Sequence, residues 1–159
     1  MENEEMCCPK FDPSVWQEKE IVWKDKLFLK DSVKSFMHIP LNMGTVIERM
    51  QKKIMGAGAN VPDSDFLILS DEASSWKSEQ LIPVAKEVTG MENVKISGTF
   101  LTKVFDGPYK EAPNWYKEMQ NYVKSKDKEA KKIYMYYTTC PKCAKKYGHN
   151  YIVVFAQVD

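Results

Sequence analysis

The stretch GTFLTKVFDGPYKEAPNWYKEMQNYV, residues 98–123, joins a strand, a turn and a helix in one short run. Its first part alternates apolar and polar side chains, which predicts a β-strand. A glycine and a proline at 107–108 then break the strand. Trp115, Met119 and Val123 recur at helical spacing. The second part is therefore predicted to be an amphipathic helix.

Two more predicted strands follow this helix. They are IYMYY at 133–137 and YIVVFAQV at 151–158. Both are short, rich in β-branched and aromatic residues, and separated by a polar loop. From residue 98 onward the order is therefore strand, helix, strand, strand.

The first half of the chain repeats this order. LFLKDSVKSFMHIPL at 27–41 reads as a long strand, and the apolar residues at 46, 47, 50 and 54 lie at helical spacing. FLILS at 66–70 and LIPVAKEV at 81–88 then read as two strands. The shared order predicts an internal duplication.

The sequence therefore predicts an α+β protein. Two duplicated β-α-β-β units, at about 27–90 and 94–159, form an antiparallel sheet with both helices on one face and a central groove. They make up one domain, 27–159, because the chain of 159 residues suits a single compact core. Residues 1–26 lack a sustained period and are predicted to be an arm that packs on this domain through its tryptophans.

The second half resembles the GyrI-like superfamily, the DNA-gyrase-inhibitor-like proteins and related effector-binding domains. The resemblance covers the chain from Leu27 onward and is carried by the strand, Gly107-Pro108-Tyr109, the helix with Trp115 and the aromatic hairpin. It implies a groove that binds planar or cationic small molecules. The whole chain also resembles a bacterial subgroup of stand-alone members labelled hydrolases, and some members hydrolyse reactive electrophiles with a carboxylate in the groove.

The sequence departs from that family at the start of its last strand. Members carry an acidic residue there, whereas this chain has Gly148, His149 and Asn150. The internal alignment matches His149 with Glu79, so we expect Glu79, His149 and Tyr109 to be the catalytic candidates, with the Glu and His activating water. The alternative for Glu79 is a solvated surface residue.

Aromatic residues and one histidine are the candidates for ligand binding, through stacking and cation–π attraction. Alternation on 133–137 places Tyr134 and Tyr136 on one face and Tyr137 on the other, so only one set can line the groove. Core packing is the alternative for each aromatic residue, and a structural hydrogen bond is the alternative for the histidine. The candidates are Trp76, Phe105, Tyr109, Trp115, Tyr134, Tyr136 and His38.

The four cysteines form two pairs, Cys7 with Cys8 and Cys140 with Cys143. The CPKC turn is typical of a zinc knuckle, and the arm cysteines, or His149, would complete a tetrahedral structural zinc site. A redox or reversible-disulfide pair and ordinary reduced thiols are the alternatives. No organic cofactor is expected.

Charge and hydropathy limit the kinds of partner that this chain is expected to have. Lys and Arg number 23 and Asp and Glu number 22, giving a formal net charge of +1, so we expect no nucleic-acid role. The sequence has no apolar run of membrane-spanning length and its start lacks signal-peptide features, which predicts a cytoplasmic protein with no membrane partner. The expected partner is a small-molecule ligand, and a homodimer or a protein partner stays open.

Three functions are therefore considered. The first is binding of a small aromatic or cationic molecule in the groove, as the resemblance implies. The second is hydrolysis of a reactive electrophilic molecule at the same place. The third is a protein-interaction role like that of the gyrase inhibitor.

Overall fold

The computed structural model describes residues 12–36, 39–40, 43–62, 65–71, 76–138 and 148–159. These residues form a mixed α+β structure with two α-helices and antiparallel strands. The chain divides into two compact units. The central unit is Val22–Gly98, and the terminal unit combines Met1–Ile21 with Thr99–Asp159.

In the central unit, strands pair in the order β2, β1, β4, β3. The strands are β1 (Lys19–Phe36, which starts in the terminal unit), β2 (Ile39–Pro40), β3 (Leu69–Asp71) and β4 (Lys77–Pro83), and the helix α1 is Met43–Gly56. Val46, Met50 and Ile54 lie at helical spacing and are buried against Leu29 and Ile82. The helix therefore packs on one face of the strands.

In the terminal unit, β7 lies between β6 and β5. The elements are β5 (Glu92–Asp106, which starts in the central unit), α2 (Ala112–Ser125), β6 (Lys132–Tyr137) and β7 (Tyr151–Gln157). Trp115, Met119 and Val123 of α2 are buried on Leu101 and Val154. These contacts bury the apolar stripe that the sequence predicted.

Several strand boundaries differ from the prediction. β1 begins at Lys19 rather than at the predicted Leu27. The prediction placed the start too late because the strand is irregular at Asp25, where a positive φ of 51° breaks the alternation of side chains. β4 begins at Lys77, within the predicted loop, and it ends at Pro83, whose ring cannot donate to a ladder.

Neither of the helices in the described part of the chain is long and apolar enough to span a membrane.

Candidate active site

Asp106 lies at the corner where β5 ends beside the start of β7. It is directly opposite Tyr151 in the antiparallel register. Gly107 follows with φ 149°, a conformation that side chains rarely adopt, and its N–H donates to the Asn150 carbonyl at 3.3 Å. The Asn150 side-chain Nδ2 donates back to the Gly107 carbonyl at 2.6 Å. These reciprocal bonds fix the corner.

Both carboxylate oxygens of Asp106 are engaged at this corner. Oδ2 lies 2.7 Å from Nδ1 of His149, and Oδ1 accepts the backbone N–H of Asn150 at 2.9 Å. Partial burial alone raises the pKa of Asp106, but the hydrogen bonds from His149 and Asn150 and the charge of His149 outweigh it and lower that pKa below its ordinary value. The group is therefore a carboxylate at neutral pH.

The ionised carboxylate determines which nitrogen of His149 carries the proton. A carboxylate can only accept, so Nδ1 carries the hydrogen and donates it to Asp106, and in the neutral ring the lone pair is then on Nε2. Among the described residues, Nε2 has no hydrogen-bond partner. The side chain is 52% exposed. Nε2 can therefore accept a proton from a bound water.

The imidazole is also held by an aromatic ring. His149 stacks on Tyr151 with ring centroids 4.9 Å apart and an interplanar angle of 14°. Gly148, immediately before it, has φ 79°, so the chain enters this corner in a conformation suited to glycine. The ring face of Tyr151 and the charge of Asp106 both favour the imidazolium that a general base becomes.

Glu79, the carboxylate predicted to assist His149, has a different partner. Its Oε2 is 3.4 Å from Nζ of Lys30, which also lies 3.2 Å from Glu92. Burial lowers the pKa of Lys30, but the hydrogen bond and charge of Glu92 and the charge of Glu79 raise it above its ordinary value. Glu79 is therefore paired with a cation in the central unit, while His149 has its carboxylate in the terminal unit.

These two pairs occupy equivalent positions in their units. Lys30 is opposite Leu81 in the register, as Asp106 is opposite Tyr151. Glu79 precedes Leu81 by two positions, as His149 precedes Tyr151. In the central unit the first strand, β1, contributes the cation Lys30. In the terminal unit the corresponding strand, β5, contributes the carboxylate Asp106.

Sequence reasoning missed Asp106 because it looked for an acid on the last strand. The acid lies instead on the neighbouring strand, at the position opposite the strand's first residue. The sequence does show an Asp at the predicted strand end, directly before Gly107. To predict that this Asp contacts His149, one would also need the register between β5 and β7, which no local pattern provides.

The face of the terminal sheet opposite α2 carries the tyrosines predicted to bind ligand. Tyr134 pairs with Phe155 and Tyr136 with Val153, while the intervening residues pack under the helix. Asp106 and Tyr151 share this face by alternation along their strands. We call it the aromatic face, and it comprises Phe100, Thr102, Tyr134, Tyr136, Val153 and Phe155, with Asp106 and Tyr151 at one end.

The other predicted aromatic residues lie elsewhere. Phe105 and Trp115 stack on each other under α2, with centroids 5.9 Å apart and exposures of 9% and 4%. Trp76 is 62% exposed in the central unit. The structure gives Phe105 and Trp115 a packing role, and the contact of these three rings with a ligand stays a prediction.

The remaining predicted site residues cannot be placed. His38 and the cysteines at 7, 8, 140 and 143 lie outside the described residues, as does the side chain of Tyr109. Within the described ranges, no group of three or more His, Cys, Asp or Glu residues could hold a metal ion. The zinc site therefore stays a prediction.

Comparisons with known proteins point to a hydrolase family. Among solved structures, an uncharacterized conserved protein from Listeria innocua matches with TM-score 0.65 and 12% identity, covering 90% of this chain and 92% of that one. A hydrolase from Listeria innocua matches with TM-score 0.62 and 10% identity, covering 91% and 92%. At these identities the similarity shows a shared fold.

The structure of SAV2435 bound to tetraphenylphosphonium matches with TM-score 0.48 and 10% identity, covering 90% of this chain and 94% of that one. No curated protein matches the chain. The family model described as bacterial hydrolase matches residues 1–158. The chain therefore belongs to the bacterial hydrolase family.

Proposed function

We propose that this protein hydrolyses a small electrophilic molecule with His149 as the general base. The observation that carries the proposal is the 2.7 Å contact between Nδ1 of His149 and Asp106, which orients the ring and leaves the lone pair on Nε2. Membership of the bacterial hydrolase family supports it. We propose Asp106 rather than Glu79 as the partner of His149, because Asp106 contacts the ring directly whereas Glu79 pairs with Lys30.

The steps follow from the two side chains. A water donates a hydrogen bond to Nε2 and its oxygen attacks the electrophilic carbon, while its proton passes to Nε2. The imidazolium is stabilised by the carboxylate of Asp106 and by the ring of Tyr151. The proton then passes to the leaving group as the bond between that group and the carbon breaks. Asp106 is a positioning residue and keeps its own charge throughout.

The second candidate function is binding of a small aromatic or cationic molecule without turnover. The aromatic face favours it, because rings such as Phe155 and Tyr136 already pack against an aromatic side chain, Trp16, whose place a planar ligand could take; Phe155 is fully buried in the structure. The GyrI-like resemblance, with its duplicated units and central groove, supports the same type of ligand. The equivalent positions of the Lys30–Glu79 and Asp106–His149 pairs support the duplication. A homodimer, a protein-interaction role and a cytoplasmic location stay predictions.

Turnover is tested with a panel of aryl esters, lactones and epoxides, starting from 2-naphthyl acetate. The untagged protein is expected to release 2-naphthol from 2-naphthyl acetate faster than buffer alone does, measured by fluorescence. No acceleration for any panel member, combined with measurable binding of 2-naphthol, would replace hydrolysis with the binding function.

Zinc content tests the cysteine prediction separately. Mass spectrometry of the purified protein should find roughly one zinc ion per chain, because four thiolates suit one tetrahedral ion. The variant Cys140→Ser/Cys143→Ser should lose the metal and melt at a lower temperature. Cys7→Ser/Cys8→Ser is the matched control for whether the arm supplies the remaining ligands. A metal-free protein after reducing purification would contradict the zinc site.

A further inference from the structure

The segment 12–18 forms a compact turn before β1. Asp12 caps the short 3-10 helix Pro13–Val15, and its side chain accepts the backbone N–H of Ser14 at 3.0 Å. Pro13 begins this turn with its φ already restricted. The turn therefore keeps its own local bonds and directs Trp16 toward the terminal sheet. From here on, the arm means residues 12–18 of the longer segment 1–26 that the sequence predicted to be an arm.

Trp16 covers the middle of the aromatic face. Its ring centroid lies 5.2 Å from that of Phe155 and 6.3 Å from that of Tyr136, where the rings meet edge to face. The Trp16 carbonyl accepts the hydroxyl of the buried Thr102 at 2.6 Å. Phe155 and Thr102 are fully buried, so a planar ligand could stack here only after the indole has left.

Two further contacts attach the arm to β5. The side-chain Oε1 of Gln17 accepts the backbone N–H of Val104 at 2.9 Å, and Glu18 pairs with Lys103 at 3.0 Å. The first contact protects a strand amide by means of a side chain rather than by a neighbouring strand. The exchange of that amide with solvent therefore reports whether the arm is closed.

Apart from Trp16 and Pro13, which are partly buried, the residues of the arm are exposed. Its short helix has no buried residue, and Val15 is 58% exposed. The Glu18–Lys103 pair is exposed on the Glu18 side, where an ion pair contributes little. Glu18 also has a positive φ of 52°, an unfavourable conformation for a residue with a Cβ, at the junction with β1. Segments of this kind open locally without global unfolding.

We propose that the arm is an autoinhibitory cover, in which Trp16 occupies the place of the substrate's aromatic ring and must leave before the substrate binds. This inference rests on the proposed use of the aromatic face by a small molecule. Four positions separate Phe155 from Tyr151 on β7, about 13 Å at the usual rise of a strand. A molecule with its ring on Phe155 therefore needs its reactive carbon at about that distance to meet His149. In 2-naphthyl acetate the carbonyl carbon is two bonds from the ring, so its hydrolysis tests His149 and not the occupation of Phe155.

The first test measures binding of 2-naphthol by isothermal titration calorimetry to the full-length chain. Trp16→Ala should bind at least about tenfold more tightly than the unmodified protein, because a closed cover lowers the apparent affinity by the fraction of open molecules. Met55→Ala removes an exposed apolar side chain of the central unit, 65% exposed, and should leave the affinity unchanged. Equal or weaker binding by Trp16→Ala, or no binding by any variant up to the solubility of 2-naphthol, would overturn the proposal.

The second test uses the unmodified protein and does not depend on the folding of a variant. Hydrogen exchange of the Val104 amide, followed by NMR, should accelerate as 2-naphthol is added, while the ladder amides of β7 stay protected. Unchanged or slower exchange of Val104 would overturn the cover. Both tests are independent of turnover, so loss of hydrolysis with retained opening would reject the proposed reaction and keep the cover.

Discussion

His149→Gln is expected to lower kcat/KM for ester hydrolysis by about 10² to 10⁴-fold, the usual contribution of a positioned general base. Glutamine keeps a polar side chain of similar reach but cannot accept a proton at neutral pH. The measurement is the initial rate of 2-naphthol release from 2-naphthyl acetate. Binding of 2-naphthol by the variant should stay close to that of the unmodified protein, because the stacking surface lies farther along β7.

Asp106→Asn tests the positioning of His149 separately from its role as the general base. An amide removes the carboxylate that orients the ring and stabilises the imidazolium formed during the reaction, so kcat should fall while KM stays close to that of the unmodified protein. A merely structural role of Asp106 would change KM and 2-naphthol binding as well. Glu48→Gln, at an exposed helix position, is the matched surface control. A rate lost in Glu79→Gln but retained in His149→Gln would show that the assignment of the base is wrong.

The lowered pKa of Asp106 determines the pH range in which its carboxylate stabilises the folded protein. Burial raises this pKa, but the contacts with His149 and Asn150 lower it below the value in the unfolded chain. Its contribution to stability is therefore present above the unfolded-state pKa and is lost as the pH falls through the folded-state pKa. Near neutral pH the carboxylate of Asp106 therefore stays ionised.

The elements of the fold could be predicted from the sequence where one short period dominates. Both helices were predicted because their apolar residues recur on one face, as Met50 and Met119 illustrate, and both are fully buried. The start of β1 could not be predicted, because its alternation is interrupted at Asp25 by a backbone conformation that tertiary contacts stabilise. The N–H of Asp25 donates to Ser97 Oγ at 2.8 Å. That partner is distant in the sequence.

The candidate site was predictable only in part for the same physical reason. His149 was identified from its position before the last strand, but its carboxylate is 43 positions away in the chain. The sequence also made Glu79 a candidate partner for His149, but it could not show that Glu79 pairs with Lys30. Local patterns indicate which residue types lie near a strand end, whereas the register between strands decides which of them meet.

Trp115→Ala is expected to lower the free energy of unfolding by about 3–5 kcal/mol, the range for removing a buried large aromatic side chain. Trp115 is 4% exposed, stacks on Phe105 and lies in the core under α2. Its Cζ2 atom would be 3.6 Å from a Cβ built on Gly107, so it also packs beneath the corner that positions Asp106. Urea denaturation followed by circular dichroism measures the loss.

Two tryptophan variants decide whether Trp115 is a core residue or a ligand contact. Trp115→Phe keeps an aromatic ring in the core and should recover most of the stability, with unchanged 2-naphthol affinity, because α2 packs on the face opposite the aromatic face. Trp76→Ala is the exposed control and should change stability by less than about 0.5 kcal/mol. If Trp115→Phe is stable but loses 2-naphthol binding, the sequence-based prediction that Trp115 contacts the ligand is correct. The aromatic face would then not be the only surface that the ligand uses.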